Sequence, residues 1–98
     1  MKRAILIDEK DNVATVTSNI ETNESLKILN SDGSIISEIV SLDAIPSGHK
    51  ISVKKISIGE KVTKYGEIIG FASSNILIGQ WVHIHNLTSN IGLEENSQ

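Results

Sequence analysis

Three histidines are the residues of this 98-residue sequence best suited to acid–base or metal chemistry near neutral pH, and all lie in its second half. His49 follows a glycine, whereas a single residue separates His83 from His85. On a β-strand this spacing places both imidazoles on one face, where they could transfer protons or begin a metal site. A stable metal site needs a third ligand: His49, a carboxylate or another chain. The alternatives to metal binding for His83 and His85 are another polar role in an active site and a purely structural role.

Lysines are concentrated in residues 49–70, which contain five of them against two acidic residues, although the whole chain has a net charge of −3. A cationic segment on an acidic domain suits a small anionic ligand, and it equally suits a solvated strand edge protected from aggregation. Within it, Lys64 precedes Tyr65, and such a pair could bind a carboxylate or take part in proton transfer. Taken alone, the Lys64-Tyr65 pair is typical of an exposed surface, with the tyrosine at a rim and the lysine in solvent. Asp11-Asn12, in the first loop, is likewise typical of a turn.

Composition and pattern exclude several classes of function. The sequence has no cysteine, which excludes disulfides, thiolate metal sites and a cysteine nucleophile. Its negative net charge argues against general nucleic-acid binding, and no phosphate-binding glycine-rich loop or hydrolase triad motif is present. No apolar run approaches the ~20 residues of a membrane span or forms a signal peptide, so we expect a cytoplasmic protein without membrane association.

The candidate residues must be positioned by one small β-domain. The chain is 39% hydrophobic with only 3% aromatic residues, which predicts an aliphatic core, and its many isoleucines favour strands. We expect strands at 4–8, 13–18, 26–30, 35–40, 49–54, 67–71 and 81–85, with a hairpin turn at Asp32-Gly33. No window keeps a helical period for three turns, so at most one or two single helical turns are expected, near 42–45 and 73–77.

A short internal repeat, Ile-x-x-Gly-x-x-(Val/Ile), is the most distinctive feature of the organisation. We call its copies corner 1 (20–26), corner 2 (45–51), corner 3 (56–62) and corner 4 (76–82); in corner 1, Asn23 replaces the glycine. Asparagine tolerates the left-handed backbone conformation better than most residues, so the replacement preserves the turn. Each copy is interpreted as a tight turn with apolar anchors in the core. Four irregularly spaced corners predict a contorted β-fold of short strands and not a solenoid.

These motifs, in this order, resemble the N-terminal domain of altronate and galactarate dehydratases, and they are similar to the small subunit of sulfolactate sulfo-lyase. The segments that carry the resemblance are DNVA (11–14), IPSGHKI (45–51), ISIGEKV (56–62), KYGEIIG (64–70) and WVHIHN (81–86). The resemblance implies an all-β, compact SAF-type β-clip fold over residues 1–87. A flexible or docking tail is expected at 88–98.

The resemblance also implies a function, which is the removal of water, or of sulfite in the sulfo-lyase, from a hydroxylated acid. A base takes the proton next to the carboxylate, so cations and hydrogen-bond donors should surround the substrate. The residues carried over by position are His49, His83 and His85 as catalytic groups, Asn12, Lys50, Lys64, Tyr65 and Asn86 as substrate-binding groups, and His83 and His85 as metal ligands. A divalent metal, iron or manganese, is expected in the complete enzyme, with none tied to this chain.

The resemblance further implies a partner. Full-length dehydratases continue with a large second region, whereas this chain ends about a dozen residues after Asn86. We therefore expect the small subunit of a split hydro-lyase, inactive alone, with a large catalytic subunit as partner and a small anionic sugar acid as substrate. The isolated chain could also form a homo-oligomer. The alternatives are a stand-alone module that binds a sugar acid without catalysis and a purely structural assembly element.

Overall fold

Nine short strands build the part of the chain that the structure, a computed structural model, describes, which is residues 1–89. They are β1 (Lys2–Leu6), β2 (Val13–Val16), β3 (Ser25–Asn30), β4 (Ile35–Val40), β5 (Lys50–Ser52), β6 (Lys61–Lys64), β7 (Glu67–Ala72), β8 (Trp81–Val82) and β9 (Leu87–Thr88). The all-β prediction is confirmed. Residues 1–89 contain no helix, and hence none able to cross a membrane. Of the predicted tail, residues 90–98 lie outside the described part.

The strands form two sheets. The larger has the order β4-β3-β1-β2-β5-β8, with β1 and β3 parallel and the other pairs antiparallel, and the smaller has the order β6-β7-β9. The strand predicted at 81–85 is wrong beyond Val82. There the chain turns back, because the side-chain oxygen of Asn86 accepts the His83 N–H at 2.9 Å and the Asn86 N–H donates to the His83 carbonyl at 3.0 Å.

Two aliphatic cores lie on opposite faces of the larger sheet. Alternation along β2 sends Ala14 and Val16 to the first core and Val13 to the second. In the same way, Trp81 packs against the first core and its neighbour Val82 lies in the second. The two cores therefore share β2 and β8, and neither of these strands can leave one core without disturbing the other.

The corners pair with each other in the middle of the fold. Ile20 of corner 1 and Ile45 of corner 2 exchange two backbone hydrogen bonds of 2.8 Å, and Ile56 of corner 3 and Ile76 of corner 4 exchange bonds of 2.9 and 2.7 Å. All four isoleucines are buried. The turn residues Asn23, Gly48, Gly59 and Gly79 have φ values of 68°, 85°, 88° and 95°. The prediction of four anchored corners with left-handed turns is confirmed.

Two hairpin turns use positive φ in different ways. The predicted turn between β3 and β4 forms, with Gly33 at φ 91°, while Asp32 accepts hydrogen bonds from the Ser34 N–H and hydroxyl instead of adopting a left-handed conformation. The turn between β6 and β7 has positive φ at both Tyr65 (59°) and Gly66 (74°), as type I′ hairpins require. This second turn was not predicted, and it presents two of the candidate residues.

Candidate functional site

The three histidines gather around Trp81. The imidazole of His83 stacks on the indole with centroids 5.3 Å apart and planes 12° apart, and the centroids of His49 and His85 lie 5.5 and 5.6 Å from the indole centroid. The rings of His49 and His83 are 5.0 Å apart. We call this set of four rings the ring cluster. Its assembly depends on corner 2 for His49 and on the turn after β8 for His83 and His85.

Lys50, Lys64 and Tyr65 form a second set, which we call the lysine group. Burial, and then the charge of nearby Lys64, lower the pKa of Lys50 below its ordinary value. The ammonium Nζ of Lys64 lies 4.7 Å from the centroid of the Tyr65 ring, a cation–π distance. Among residues 1–89, neither lysine forms a salt bridge, since the single described ion pair joins Lys2 and Glu24. The acids nearby do not form a salt bridge with either lysine: the Asp11 carboxylate accepts the Tyr65 and Gly66 N–H groups, and Glu67 pairs with Lys64 across the β6–β7 hairpin. Two neighbouring cations without a salt bridge could accept an anion.

The two sets lie on opposite faces of β5 and β8. Residues directly paired across an antiparallel ladder share a face, and here Ile51 pairs with Trp81 while Lys50 pairs with Val82. Since Trp81 packs on the first core and Val82 belongs to the second, Lys50 lies on the face away from the ring cluster. However, β8 is the edge strand of its sheet. A partner that encloses this edge could therefore contact both sets.

Asn12 and Asn86 have amides committed to the backbone. The Asn12 amide donates to the Lys61 carbonyl and accepts the Thr63 N–H, both at 2.8 Å, where the β6–β7 register shifts. Asn86 is 4% exposed; it accepts the His83 N–H and donates to the Trp81 carbonyl at 2.8 Å. The structure gives both residues positioning roles, and contact of either with a substrate stays a prediction.

Asp11, whose place in the sequence predicted only a turn, holds the backbone that presents two of the candidate residues. Its carboxylate is fully buried and accepts backbone N–H groups from Asp8, Tyr65 and Gly66 at 3.1, 2.9 and 2.8 Å. These bonds hold the left-handed turn that presents Lys64 and Tyr65. Only the position of Asp11 beside Asn12 could have indicated this role, because Tyr65 and Gly66 are more than 50 residues away in sequence.

The remaining lysines of the cationic segment lie elsewhere. Lys54, Lys55 and Lys61 line a depression of about 480 Å³ with Phe71. A groove of about 560 Å³ borders the ring cluster at Trp81 and is lined on its other sides by parts of corners 1 and 2, including Asn19, Glu21, Thr22 and Pro46. The five lysines that are concentrated in residues 49–70 are thus divided between the lysine group and this depression.

The residues present do not assemble a metal site by themselves. Within residues 1–89, no three histidine, cysteine, aspartate or glutamate side chains are grouped so that they could hold an ion. The ring cluster brings His49 close to His83, but its centre is occupied by the Trp81 indole. The Asp43 carboxylate beside it accepts the Trp81 backbone N–H at 2.9 Å. Further ligands would have to come from outside this part of the chain.

Comparison with known proteins identifies the family of this chain. Residues 2–90 match the model of the altronate/galactarate dehydratase SAF domain. Altronate dehydratase of Bacillus subtilis is 35% identical over 91 residues, which are 93% of this chain and 17% of that protein. The altronate dehydratase of Escherichia coli is 30% identical over 87 residues, 89% of this chain and 16% of that protein.

A second kind of relative is shorter. The (2R)-sulfolactate sulfo-lyase subunit alpha of Chromohalobacter salexigens is 42% identical over 45 residues, which are 46% of this chain and 48% of that subunit. The chain thus spans about a sixth of the altronate dehydratases it matches, and its alignment covers about half of the sulfo-lyase subunit. With nine-tenths of its length matched by one family model, the chain belongs to the altronate/galactarate dehydratase SAF domain family.

Proposed function

We propose that this chain is the small subunit of a sugar-acid hydro-lyase of the altronate/galactarate type and contributes part of a shared active site. The observation that carries the proposal is the lysine group, in which Lys50 and Lys64 repel each other and have no carboxylate partner among residues 1–89. A substrate carboxylate placed between them would offset their mutual repulsion. Holding that carboxylate is what dehydration of a hydroxylated acid requires, because the carboxylate takes up charge when the neighbouring proton leaves.

The ring cluster supplies groups for proton transfer. Neutral and charged imidazole interconvert near neutral pH, so His49, His83 or His85 could accept the proton or donate one to the departing hydroxyl. In the proposed enzyme, the lysine group and the ring cluster act from the two sides of β8 on a substrate held at that edge. Any metal would take most of its ligands from the partner.

Features of the same edge favour a large catalytic subunit as partner. The indole Nε1 of Trp81, in the edge strand β8, is buried and lacks a hydrogen-bond partner in the described residues. Ile84, between two of the catalytic candidates, is 83% exposed. An unpaired indole N–H and an exposed isoleucine, both in or directly after β8, are ordinary for a surface that a partner covers. A cytoplasmic location and self-association of the isolated chain stay predictions.

Reconstitution tests the function. We would co-express the chain with dehydratase large subunits and assay dehydration of altronate and galactarate and release of sulfite from (2R)-sulfolactate. Lys64→Met should lower kcat/KM at least about tenfold, the effect of losing one charge-assisted hydrogen bond. Lys61→Met, an exposed lysine outside the group, is the matched control. Absence of turnover of all three acids with every large subunit would refute the proposal.

The proposed interface has its own test. Ile84→Asp should abolish co-purification with the large subunit while changing the free energy of unfolding by less than about 0.5 kcal/mol, since the side chain is exposed. Ile58→Asp, a 58% exposed isoleucine in corner 3, should leave co-purification intact. Equal retention of the partner by both variants would place the interface elsewhere.

The groove beside Trp81 favours a second candidate, a stand-alone module that binds a sugar acid without catalysis. A groove of about 560 Å³ has room for a six-carbon acid, and the aromatic wall and the polar side chains Asn19, Glu21 and Thr22 suit a polyhydroxylated chain. Calorimetry on the isolated chain separates the two candidates. Micromolar binding of galactarate without any partner, with no turnover in its presence, would favour the module.

A further inference from the structure

The residue that follows each turn residue has the same structural role in three of the four corners. Glu24, Glu60 and Gln80 stand four positions after the corner isoleucines Ile20, Ile56 and Ile76. In each case the side-chain Oε1 accepts the N–H of the residue directly after that isoleucine. The donors are Glu21, Ser57 and Leu77, at distances of 2.9, 2.6 and 2.6 Å. This bond closes the corner and satisfies a backbone donor that would otherwise be free.

Corner 2 is the exception. The residue after Ile45 is Pro46, which has no backbone N–H, so there is no donor for a closing side chain to accept. The rest of the corner is built like the others: the His49 N–H donates to the Pro46 carbonyl at 3.1 Å, and the Gly48 N–H donates to the Val16 carbonyl at 2.9 Å. The equivalent bonds of corner 3 are 2.9 and 2.8 Å. Corner 2 is therefore complete without any help from its fourth side chain.

That fourth side chain is His49. Relieved of the closing role, its imidazole lies against Trp81 and 5.0 Å from the ring of His83. Among the four residues that directly follow a turn residue, only His49 does not accept the corner-closing hydrogen bond, and its side chain is the one in the ring cluster. Pro46 and His49 are thus structurally linked: Pro46 lacks the backbone donor, and the His49 side chain is therefore free to contact Trp81 and His83.

We propose that Pro46 is a positioning residue for the lyase reaction and that it acts by keeping the His49 imidazole out of the corner and available to the substrate. The role toward a substrate rests on the proposed function, whereas the effect of Pro46 on the position of His49 rests on the geometry of the corners alone. A serine or alanine at position 46 would restore the donor, and an imidazole nitrogen would then be drawn to it, away from Trp81 and His83.

A double-mutant cycle on the full chain tests the effect of Pro46 on His49 without any partner. Pro46→Ser with His49→Glu rebuilds corner 2 in the pattern of corner 3. In the Pro46→Ser background, His49→Glu should raise Tm by about 4–8 °C, the shift expected for one regained hydrogen bond in a domain of this size. In the wild-type background the same substitution should change Tm by less than about 2 °C. Equal effects in both backgrounds would overturn the proposal.

Two controls calibrate the cycle. Glu60→Gln keeps an acceptor in corner 3 and should leave Tm unchanged, because Gln80 already performs this role in corner 4. Glu60→Ala removes the acceptor and should lower Tm by about 4–8 °C. If Glu60→Ala left Tm unchanged, the closing bond would have no measurable value and the proposal would fall.

Steady-state kinetics and NMR test whether Pro46 affects the lyase reaction through His49. In the reconstituted enzyme, Pro46→Ser should lower kcat at least about tenfold with little change in KM, and the His49–Trp81 ring contacts should weaken in NOE spectra. The folded double variant should be inactive. A Pro46→Ser enzyme with full kcat and an intact His49–Trp81 contact would contradict the proposal. If no large subunit gives activity, the proposed function fails, while the thermal cycle and the NOE contacts still decide whether Pro46 controls His49.

Discussion

Tyr65 has a backbone conformation that costs tyrosine free energy. Its φ of 59° belongs to the left-handed region, where the first central position of a type I′ turn prefers asparagine, aspartate or glycine. The turn forms because the buried Asp11 carboxylate accepts the N–H groups of Tyr65 and Gly66. The Tyr65 ring gains little in return from burial, since the residue is 57% exposed. A strained and exposed aromatic residue beside a cationic group is better explained by ligand contact than by stability.

Tyr65→Asn should therefore make the chain more stable and the enzyme less active. Relief of the left-handed conformation is worth about 1 kcal/mol, and loss of the exposed Lys64–ring contact costs about 0.5 kcal/mol, so the free energy of unfolding should rise by about 0.5 kcal/mol. Urea denaturation measures this rise, and kcat/KM of the reconstituted enzyme should fall. Asn23→Gly, which eases the same conformation in corner 1, should leave kcat/KM unchanged. Full activity of Tyr65→Asn would remove Tyr65 from the site.

Lys50 should make stability depend on pH in the alkaline range. Burial and the charge of Lys64 lower its pKa in the folded state, whereas the unfolded chain has the ordinary value near 10.4. Between these two pKa values the unfolded state binds more protons, so the free energy of unfolding rises with pH across that window. Lys50→Met should abolish this part of the rise in urea titrations from pH 7 to 10.5. The exposed Lys61→Met is the control, and identical pH profiles for Lys50→Met and wild type would contradict the assignment.

The four corners are equivalent as turns but differ in how closely other elements approach them. Gly59 and Gly79 have nearly the same φ, 88° and 95°. A Cβ at Gly59 would meet no atom within 4 Å, whereas one at Gly79 would collide with the carbonyl oxygen of Val40 at the end of β4. In addition, the Gly79 carbonyl accepts the Leu42 N–H at 2.8 Å. Corner 4 therefore carries the contact that joins the chain after β4 to the edge at β8.

Substituting alanine at the two glycines separates backbone strain from close packing. Gly59→Ala should cost about 1–2 kcal/mol, the price of a side chain in the left-handed region. Gly79→Ala carries the same strain and adds the collision with Val40, so its free energy of unfolding should fall by at least about 2 kcal/mol more. Urea denaturation of both variants gives the difference directly. Equal losses would mean that the segment after β4 moves away without cost.

At the scale of the whole molecule, the shared strands make the two cores one cooperative unit. Val13 and Ala14 are consecutive residues in different cores, and so are Trp81 and Val82. Partial unfolding of the second core would release strands that the first core needs. This also explains why the lysine group and the ring cluster, on opposite faces, keep a constant relation across β5 and β8.

Ile56→Ala tests this cooperativity. The residue is buried in the second core, so its truncation should cost about 2–5 kcal/mol. Trp81 fluorescence reports on the first core, and its unfolding midpoint should fall together with the midpoint from far-UV circular dichroism. Ile58→Ala, at an exposed neighbour in the same corner, should change the free energy of unfolding by less than about 0.5 kcal/mol with either signal. A fluorescence midpoint that stayed at the wild-type value would show two independent units.

Most of the fold was predictable because its signals are local. The glycine or asparagine of each corner, the isoleucine three residues before it and the Asp32-Gly33 turn act over a few residues, and all formed as expected. Strand β6 was missed because its four residues, Lys61–Lys64, include only one apolar side chain. The strand through His85 was wrong because a side chain beyond its predicted end, that of Asn86, bonds back to His83.

The sequence by itself determined an all-β fold of short strands and tight corners, since strand-type runs and turn chemistry are local, whereas the β-clip architecture and the candidate site residues came from the resemblance of its motifs to the family. Tertiary structure decided how those residues are grouped. Strand pairing placed Lys50 and Trp81 on opposite faces, and folding brought His49 of corner 2 to the end of β8. It also gave Asp11 its role in the β6–β7 turn, because the Tyr65 and Gly66 N–H groups that its carboxylate accepts are 54 and 55 residues away. Such contacts depend on register and packing between distant segments, which no local pattern encodes.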